Sequence, residues 1–257
     1  MLSWLKKIRL RVPVKIMLAG TAFFLLIGFV ENKQHRKICT GIKVNIEDSF
    51  DTYFINEEDV RALLTQNGTQ RIEGEPFREI NLKNLELRLK TNKFVKNCQV
   101  YADLTGRLNV NIRQNRPLAR VVDPNLPDAY ISEDGDVLPL SARFTARVVL
   151  LEGAGLKKLL RGNLQTDSTG RAVFELLKRI DNERFFKALL AQVAVSENGD
   201  IKMYPQIGRQ VIEFGKPVDI QRKFEKIKIF YLRILPARGW NRYHRVSVAY
   251  GDQIVCE

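Results

Sequence analysis

Histidine and cysteine are scarce in this sequence of 257 residues, which has two of the first and three of the second. His35 and His244 stand far apart, and the cysteines lack the spacing of a zinc site. None of the motifs HExxH, CxxC, GxSxG, GxGxxG or the P-loop occurs. The sequence therefore predicts no metal, cofactor or catalytic residue, and favours a protein that acts by binding. Whether two of Cys39, Cys98 and Cys256 form a disulfide stays open.

Acidic residues are absent from positions 1–30, where five lysines and arginines occur. Residues 16–30 are uncharged, and Val14 with the aliphatic stem of Lys15 extends this apolar run to ~25 Å of helix, the short end of what spans a bilayer. We predict a single transmembrane helix over 14–30, with the basic tail before it in the cytoplasm. Its membrane-spanning residues include Val14, Ile16, Phe23, Leu26 and Val30.

A cleaved signal peptide is the alternative for this segment, because a basic stretch followed by an apolar run begins such peptides too. The run ends in Gly28-Phe29-Val30 before Glu31, without a small-x-small cleavage site. We therefore expect an uncleaved anchor, with the rest of the chain outside the cytoplasm.

The net charge of +13 raises the possibility of nucleic-acid binding. Beyond residue 30, 37 basic residues face 29 acidic ones, which leaves +8. These charges are mixed along the chain and are not interleaved with aromatic residues, so a nucleic-acid partner is not favoured.

A small α+β module follows the anchor. The alternation in Lys43–Ile46 predicts a strand, and Asn56 before three acidic residues predicts the start of a helix. A second helix is predicted over 82–91, with Leu82, Leu85, Leu87 and Leu89 on its core side. Val95–Leu104 and Leu108–Arg113 then form a hairpin around Thr105-Gly106. The order β-α-α-β-β predicts a three-stranded sheet covered by two helices.

A longer region of strands and helices follows. Helical spacing of apolar residues predicts a helix around 167–180, and Glu197-Asn198-Gly199 predicts a hairpin turn. A long helix is predicted over Ile220–Leu235, ended by Pro236 and Gly239. The alternation in Arg245–Val255 predicts one closing strand.

The order of these elements resembles the bacterial cell-division FtsQ/DivIB family. The residues that carry the resemblance are the hairpin ending in Asn115–Val121 (NRPLARV) and the passage Tyr130–Leu140 (YISEDGDVLPL), after an anchor and a module similar to a POTRA domain. The fold class implied is α+β: a transmembrane helix, a small POTRA domain, and a larger mixed β-sheet domain with packed helices. The predicted divisions are a cytoplasmic tail at 1–13, the transmembrane helix at 14–30, a spacer at 31–38, the POTRA domain at 39–115, and the β domain at 116–257.

The resemblance implies a non-enzymatic scaffold of the inner membrane at the division septum. Its expected partners are an FtsB-like protein paired with an FtsL-like one, and other division proteins that dock on the POTRA domain. In the family the last strand binds FtsB by strand addition. Tyr250 lies where the family carries a key aromatic residue, and Arg222 and Lys223 lie where it uses a basic residue. The expected partner-binding residues are Arg222, Lys223, Arg245, Val246, Ser247, Val248, Ala249, Tyr250, Gln253, Ile254 and Val255.

Two other functions remain open from the residues alone. One is an envelope transport or assembly factor that chaperones unfolded clients, although repeated POTRA units and C-terminal barrel strands are not present in the sequence. The other is a membrane-anchored hydrolase, for which no nucleophile–base pair stands out. The closing strand also has a plainer interpretation, as an ordinary core strand.

Overall fold

The structure is a computed structural model that describes residues 20, 21, 23, 37–47, 53–160 and 162–257. Of the predicted transmembrane residues, Val14, Ile16, Leu26 and Val30 lie outside this part, and Phe23 is helical. No helix within the described residues has the length and apolar character needed to cross a membrane. Contacts divide the chain into two compact units, one made of residues up to 47 with 55–113, the other of 48–54 with 114–257.

The first unit has the predicted order of elements. They are β1 (Gly41–Glu47), α1 (Glu57–Thr65), α2 (Leu82–Lys90), β2 (Val95–Ala102) and β3 (Arg107–Gln114). The sheet order is β1-β3-β2, and β1 runs parallel to β3. Its core is aliphatic, with Leu64, Leu89, Leu108 and Ile112 fully buried.

Local signals explain where the helices of the first unit begin and which faces they bury. Asn56 caps α1 by accepting from the Asp59 N–H at 2.8 Å, and the Asp59 carboxylate accepts from the Asn56 N–H at 3.0 Å. In α2, Leu85 and Leu89 are buried, whereas Leu87 is 58% exposed. The prediction that Leu87 joins the core was wrong, because a position two residues from each buried leucine lies on the opposite side of a 3.6-residue turn.

The second unit is a nine-stranded mixed sheet with helices. Its strands are β4 (Pro117–Val121), β5 (Ala129–Ser132), β6 (Val137–Leu138), β7 (Val149–Glu152), β8 (Leu190–Val195), β9 (Ile201–Pro205), β10 (Val211–Gly215), β11 (Arg245–Ser247) and β12 (Val255–Cys256). They lie in the order β12-β11-β10-β9-β8-β7-β4-β5-β6. The parallel pairs are β4 with β7, β7 with β8, and β10 with β11.

Helices of the second unit pack on this sheet through apolar faces. They are α3 (Leu156–Leu159), α4 (Ser168–Asn182), α5 (Arg184–Leu189), α6 (Ile220–Ile229) and α7 (Leu235–Arg238). Asp167 caps α4, because its carboxylate accepts from the Thr169 and Gly170 N–H groups. The core joins residues of both layers, among them Phe174, Phe186, Phe214 and Phe224.

The long C-terminal helix continues past the predicted stop. A π-helical turn, Phe230–Ile234, connects α6 to α7, and α7 contains Pro236 and ends at Arg238. The wider hydrogen-bond spacing of the π-helical turn lets the helix continue through a proline that lacks an amide hydrogen. Gly239, with φ +101°, ends the helix as predicted.

The prediction of one closing strand over Arg245–Val255 was wrong. β11 has only three residues, the chain turns between 248 and 254, and β12 returns antiparallel to β11. The outermost strand is therefore β12, not the stretch 245–250. Beyond the last ladder bond, from the Val248 N–H to the Glu213 carbonyl oxygen at 3.0 Å, carbonyl groups of the turn bond to a lysine of α6.

Candidate functional site

The end of the described chain forms one edge of the nine-stranded sheet. Arg245 and Glu257 exchange two backbone hydrogen bonds, at 3.0 and 2.9 Å, and the next pair inward is Val246 with Cys256. Bonded and non-bonded pairs alternate in an antiparallel ladder, so the N–H and C=O of Cys256 point away from β11. Among the described residues, no strand pairs with that outer side of β12. The edge can accept another strand.

A buried lysine holds the turn between β11 and β12. Lys226 of α6 is 8% exposed, and its Nζ donates to the carbonyl oxygens of Val248, at 3.5 Å, Tyr250 and Gly251. Burial lowers the pKa of the Lys226 ammonium because desolvation disfavours the charged form. The three carbonyl dipoles oppose this effect by accepting from the charged donor. The turn is thereby fixed to α6.

Exposed ion pairs flank the same edge. Arg222 of α6 pairs with Asp252 in the turn, and Arg245 pairs with Glu257 and, at 3.3 Å, with Glu213. The pKa of Arg245 is raised, first by its hydrogen bond to Glu257. Solvent screening makes such pairs weak contributors to stability, so their charges remain accessible to a partner.

Family models match both units of the chain. The model described as "FtsQ/DivIB, C-terminal related" matches residues 116–257, and a "POTRA-like domain" model matches residues 37–113. The chain belongs to the FtsQ/DivIB family. A search of curated proteins found no match.

Membership of the FtsQ/DivIB family indicates a scaffold of the cell-division machinery, a membrane protein of the division septum associated with other division proteins. FtsQ/DivIB and POTRA domains are non-catalytic families. Within the described residues, no group of three His, Cys, Asp or Glu side chains is placed to hold a metal ion.

Of the predicted partner-binding residues, those in the turn between β11 and β12 present side chains to solvent. Tyr250 is 57% exposed, and Ala249 and Gln253 are exposed as well. Ile254 and Val255 are half-buried. These five residues lie together next to the outer edge of the sheet.

The predicted residues of β11 face inward instead. Val246 and Ser247 of β11, and Val248 directly after it, are buried. The side chains of Val246 and Val248 belong to the core of the second unit. Arg245, at the start of β11, keeps an exposed guanidinium.

The two predicted basic residues differ in accessibility. Arg222 is exposed, whereas the Lys223 Nζ donates to the Lys216 carbonyl oxygen at 2.8 Å and lies 5.1 Å from the ring centroid of Phe214. Burial lowers the pKa of Lys223. Of Arg222 and Lys223, therefore, Arg222 is the one that presents its charge at the surface.

Lys226 and Cys256 are two residues of this site that sequence reasoning missed. Lys226 follows Arg222 by four residues, so helical spacing alone indicated that both lie on one side of α6. The three cysteines of the chain are free thiols, each with a pKa raised mainly by burial. Cys256 therefore contributes through its backbone.

Proposed function

We propose that this FtsQ/DivIB protein is a single-pass inner-membrane scaffold of the divisome. Its anchor is the apolar segment 14–30, with the N-terminus in the cytoplasm and both units on the periplasmic side. The POTRA-like unit docks other membrane division proteins. The edge formed by β12 binds an FtsB-like protein, paired with an FtsL-like one, through an added strand.

The observation that carries the proposal is the outward backbone of Cys256, on an edge that no strand of the described residues covers. A strand added to β12 would exchange hydrogen bonds with the Cys256 N–H and C=O, and these main-chain bonds would supply affinity. Tyr250 and Arg222 stand beside the edge and would supply specificity, the first by aromatic packing and the second by pairing with an acidic side chain of the partner.

The substitution Cys256→Pro tests strand addition directly. Proline removes the outward N–H of residue 256 but none of the hydrogen bonds between β12 and β11, which join Arg245 to Glu257 and Ser247 to Val255. We expect Cys256→Pro to lose co-purification with the FtsB-like and FtsL-like pair, while the thermal transition of the chain stays in place.

Cys256→Val is the matched control, because it changes the same side chain and keeps the N–H. It should bind the partner pair as the wild type does. Tyr250→Ala should weaken binding by about 2 kcal/mol if the ring is an anchor of the interface. Equal co-purification of the wild type and Cys256→Pro would refute strand addition at β12 without affecting the assignment to the family.

A further inference from the structure

A trough runs across the end of the sheet at which β4, β7 and β8 begin. Two adjoining cavities of about 400 and 500 Å³ share Arg147, Val148, Asp181 and Lys187 as lining residues. Because the three strands are parallel, Pro117, Val149 and Leu190 begin them on the same side of the sheet. The trough thus belongs entirely to the second unit and follows the segment 144–149.

The walls of the trough combine apolar surface with a charged cluster. Asp181, at the end of α4, has a side chain only 9% exposed and accepts from Lys187 Nζ at 2.7 Å and from Arg116. Arg116 also lies 3.4 Å from the Glu133 carboxylate. Two acids and two bases therefore balance each other, and Arg147 adds a positive charge. Within the described chain, Arg147 is exposed and has no ion-pair or hydrogen-bond partner.

The backbone beside the trough is also available for binding. Thr145, Arg147 and Val148 come directly before β7, yet their N–H and C=O groups bond to no other described residue. The intervening Ala146 is buried, and its N–H donates to the Tyr130 hydroxyl at 3.2 Å. Unpaired backbone groups of this kind can bond to an added strand, as the edge of a sheet does.

We propose that this trough binds an extended, acidic peptide segment of a partner protein. The peptide backbone would pair with Thr145 and Arg147, whose polar groups share one side of an extended segment, and its apolar side chains would lie against Val148 and the other apolar walls. A carboxylate of the peptide would meet the Arg147 guanidinium, next to the Lys187 ammonium. Charge complementarity selects an acidic ligand, because Asp181, the one carboxylate among the described lining residues, is already neutralised by two cations. The proposal does not depend on strand addition at β12.

The test uses the full-length chain in detergent and three sets of labelled synthetic peptides of about ten residues. Each set alternates valine or leucine with one polar residue, which is glutamate, glutamine or lysine. Fluorescence anisotropy should show binding of the glutamate set and about tenfold weaker binding of the glutamine set, as expected for the loss of a charge-assisted hydrogen bond. The lysine set should not bind.

Variants of the chain assign the binding to the trough. Arg147→Glu should abolish binding of the glutamate peptides, and Arg147→Lys should retain part of it. Val148→Trp should block the trough without a change of charge. Lys157→Glu makes the same charge reversal on the exposed side of α3, away from the trough, and should bind normally. Glutamate peptides methylated on alternate backbone nitrogens should bind at least tenfold more weakly if the backbone pairs.

Three results would overturn the proposal. One is the absence of binding by every glutamate peptide at concentrations up to ~1 mM. Another is equal affinity of the wild type and Arg147→Glu. The third is complete displacement of the peptides by a sulfated polysaccharide together with insensitivity to backbone methylation, which would describe a general anion surface and not a peptide site. Circular dichroism of each variant confirms that the fold is kept.

Discussion

Tyr231 places a hydroxyl group in the core of the second unit. The residue lies in the π-helical turn, is 3% exposed, and packs against Phe230 and Trp240. Its hydroxyl has no hydrogen-bond partner within the described part of the chain. Desolvation raises the pKa of Tyr231, because the phenolate would be buried. A buried polar group without a partner costs free energy of folding.

The substitution Tyr231→Phe should increase the free energy of unfolding at neutral pH by about 1 kcal/mol, since it removes this unsatisfied hydroxyl and keeps the ring. The pH dependence has a definite sign. The folded-state pKa lies above the unfolded value of about 10, so the stability linked to Tyr231 is complete below about pH 10 and is lost as the pH rises through the folded pKa.

Urea denaturation at neutral and alkaline pH measures both effects. The wild type should lose stability above about pH 10 more steeply than Tyr231→Phe. The other tyrosines are common to both chains and serve as the internal control. A less stable phenylalanine variant at neutral pH would show that the hydroxyl has a partner in solution.

At the scale of elements, the end of β7 is fitted closely against β8. Gly153 follows β7 with φ +110°, and a Cβ atom there would lie 2.3 Å from the carbonyl oxygen of Val195. That oxygen accepts from the Gly155 N–H at 3.1 Å, so the approach of the two segments is part of their pairing. Only glycine adopts this positive φ without strain and also lacks the Cβ atom that would clash with Val195.

We therefore expect Gly153→Ala to lower the free energy of unfolding by about 2 kcal/mol or more, from backbone strain and from the clash with a backbone atom. Gly162→Ala is the control, because among the described residues, chain neighbours aside, no atom lies within 4 Å of the Cβ position. Its effect should stay within about 0.5 kcal/mol. Thermal unfolding of the two variants gives the comparison, and similar losses would contradict the packing argument.

Elements with strong local signals were predictable from the sequence. The capped helices α1 and α4 and the hairpin turn at Glu197–Gly199 follow from side-chain types that act on neighbouring backbone. The short β11 and its return as β12 depend on Lys226, which is about 20 residues away along the chain. Alternation in a sequence cannot show such a tertiary hydrogen bond.

The family resemblance indicated residues that lie near the edge formed by β12, but not the contacts that these residues make. Tyr250 and Arg222 were identified from the family resemblance, and both are exposed near the edge. Val246, Ser247 and Val248 were also predicted to bind the partner, yet the side chains of all three are buried. The trough along 144–149 had no sequence signal, since its lining comes from separate parts of the chain.

At the scale of the whole molecule, a POTRA-like unit and an FtsQ/DivIB unit follow a basic and apolar N-terminal segment in one chain. For a scaffold that works by position, location is the first property to measure. We expect a fluorescent protein fused to the N-terminus, at native expression, to form a band at midcell that constricts with the septum.

Phe23→Arg in the same fusion is the control, because a charge in the middle of the predicted anchor opposes insertion into the bilayer. This variant should lose the midcell band. An even signal around the cell periphery from the wild-type fusion would contradict a divisome scaffold and would favour a role in envelope transport or assembly.

The hydrogen bonds from Lys226 to the turn before β12 affect which of the two binding partners loses conformational entropy on binding. A turn already bonded to α6 loses little conformational entropy when a strand joins the sheet. On the proposed strand addition, the entropic cost of ordering would fall on the incoming segment. Affinity would then be adjustable through the stiffness of that segment alone, so a division complex of this kind could be strengthened or loosened without any change in the scaffold.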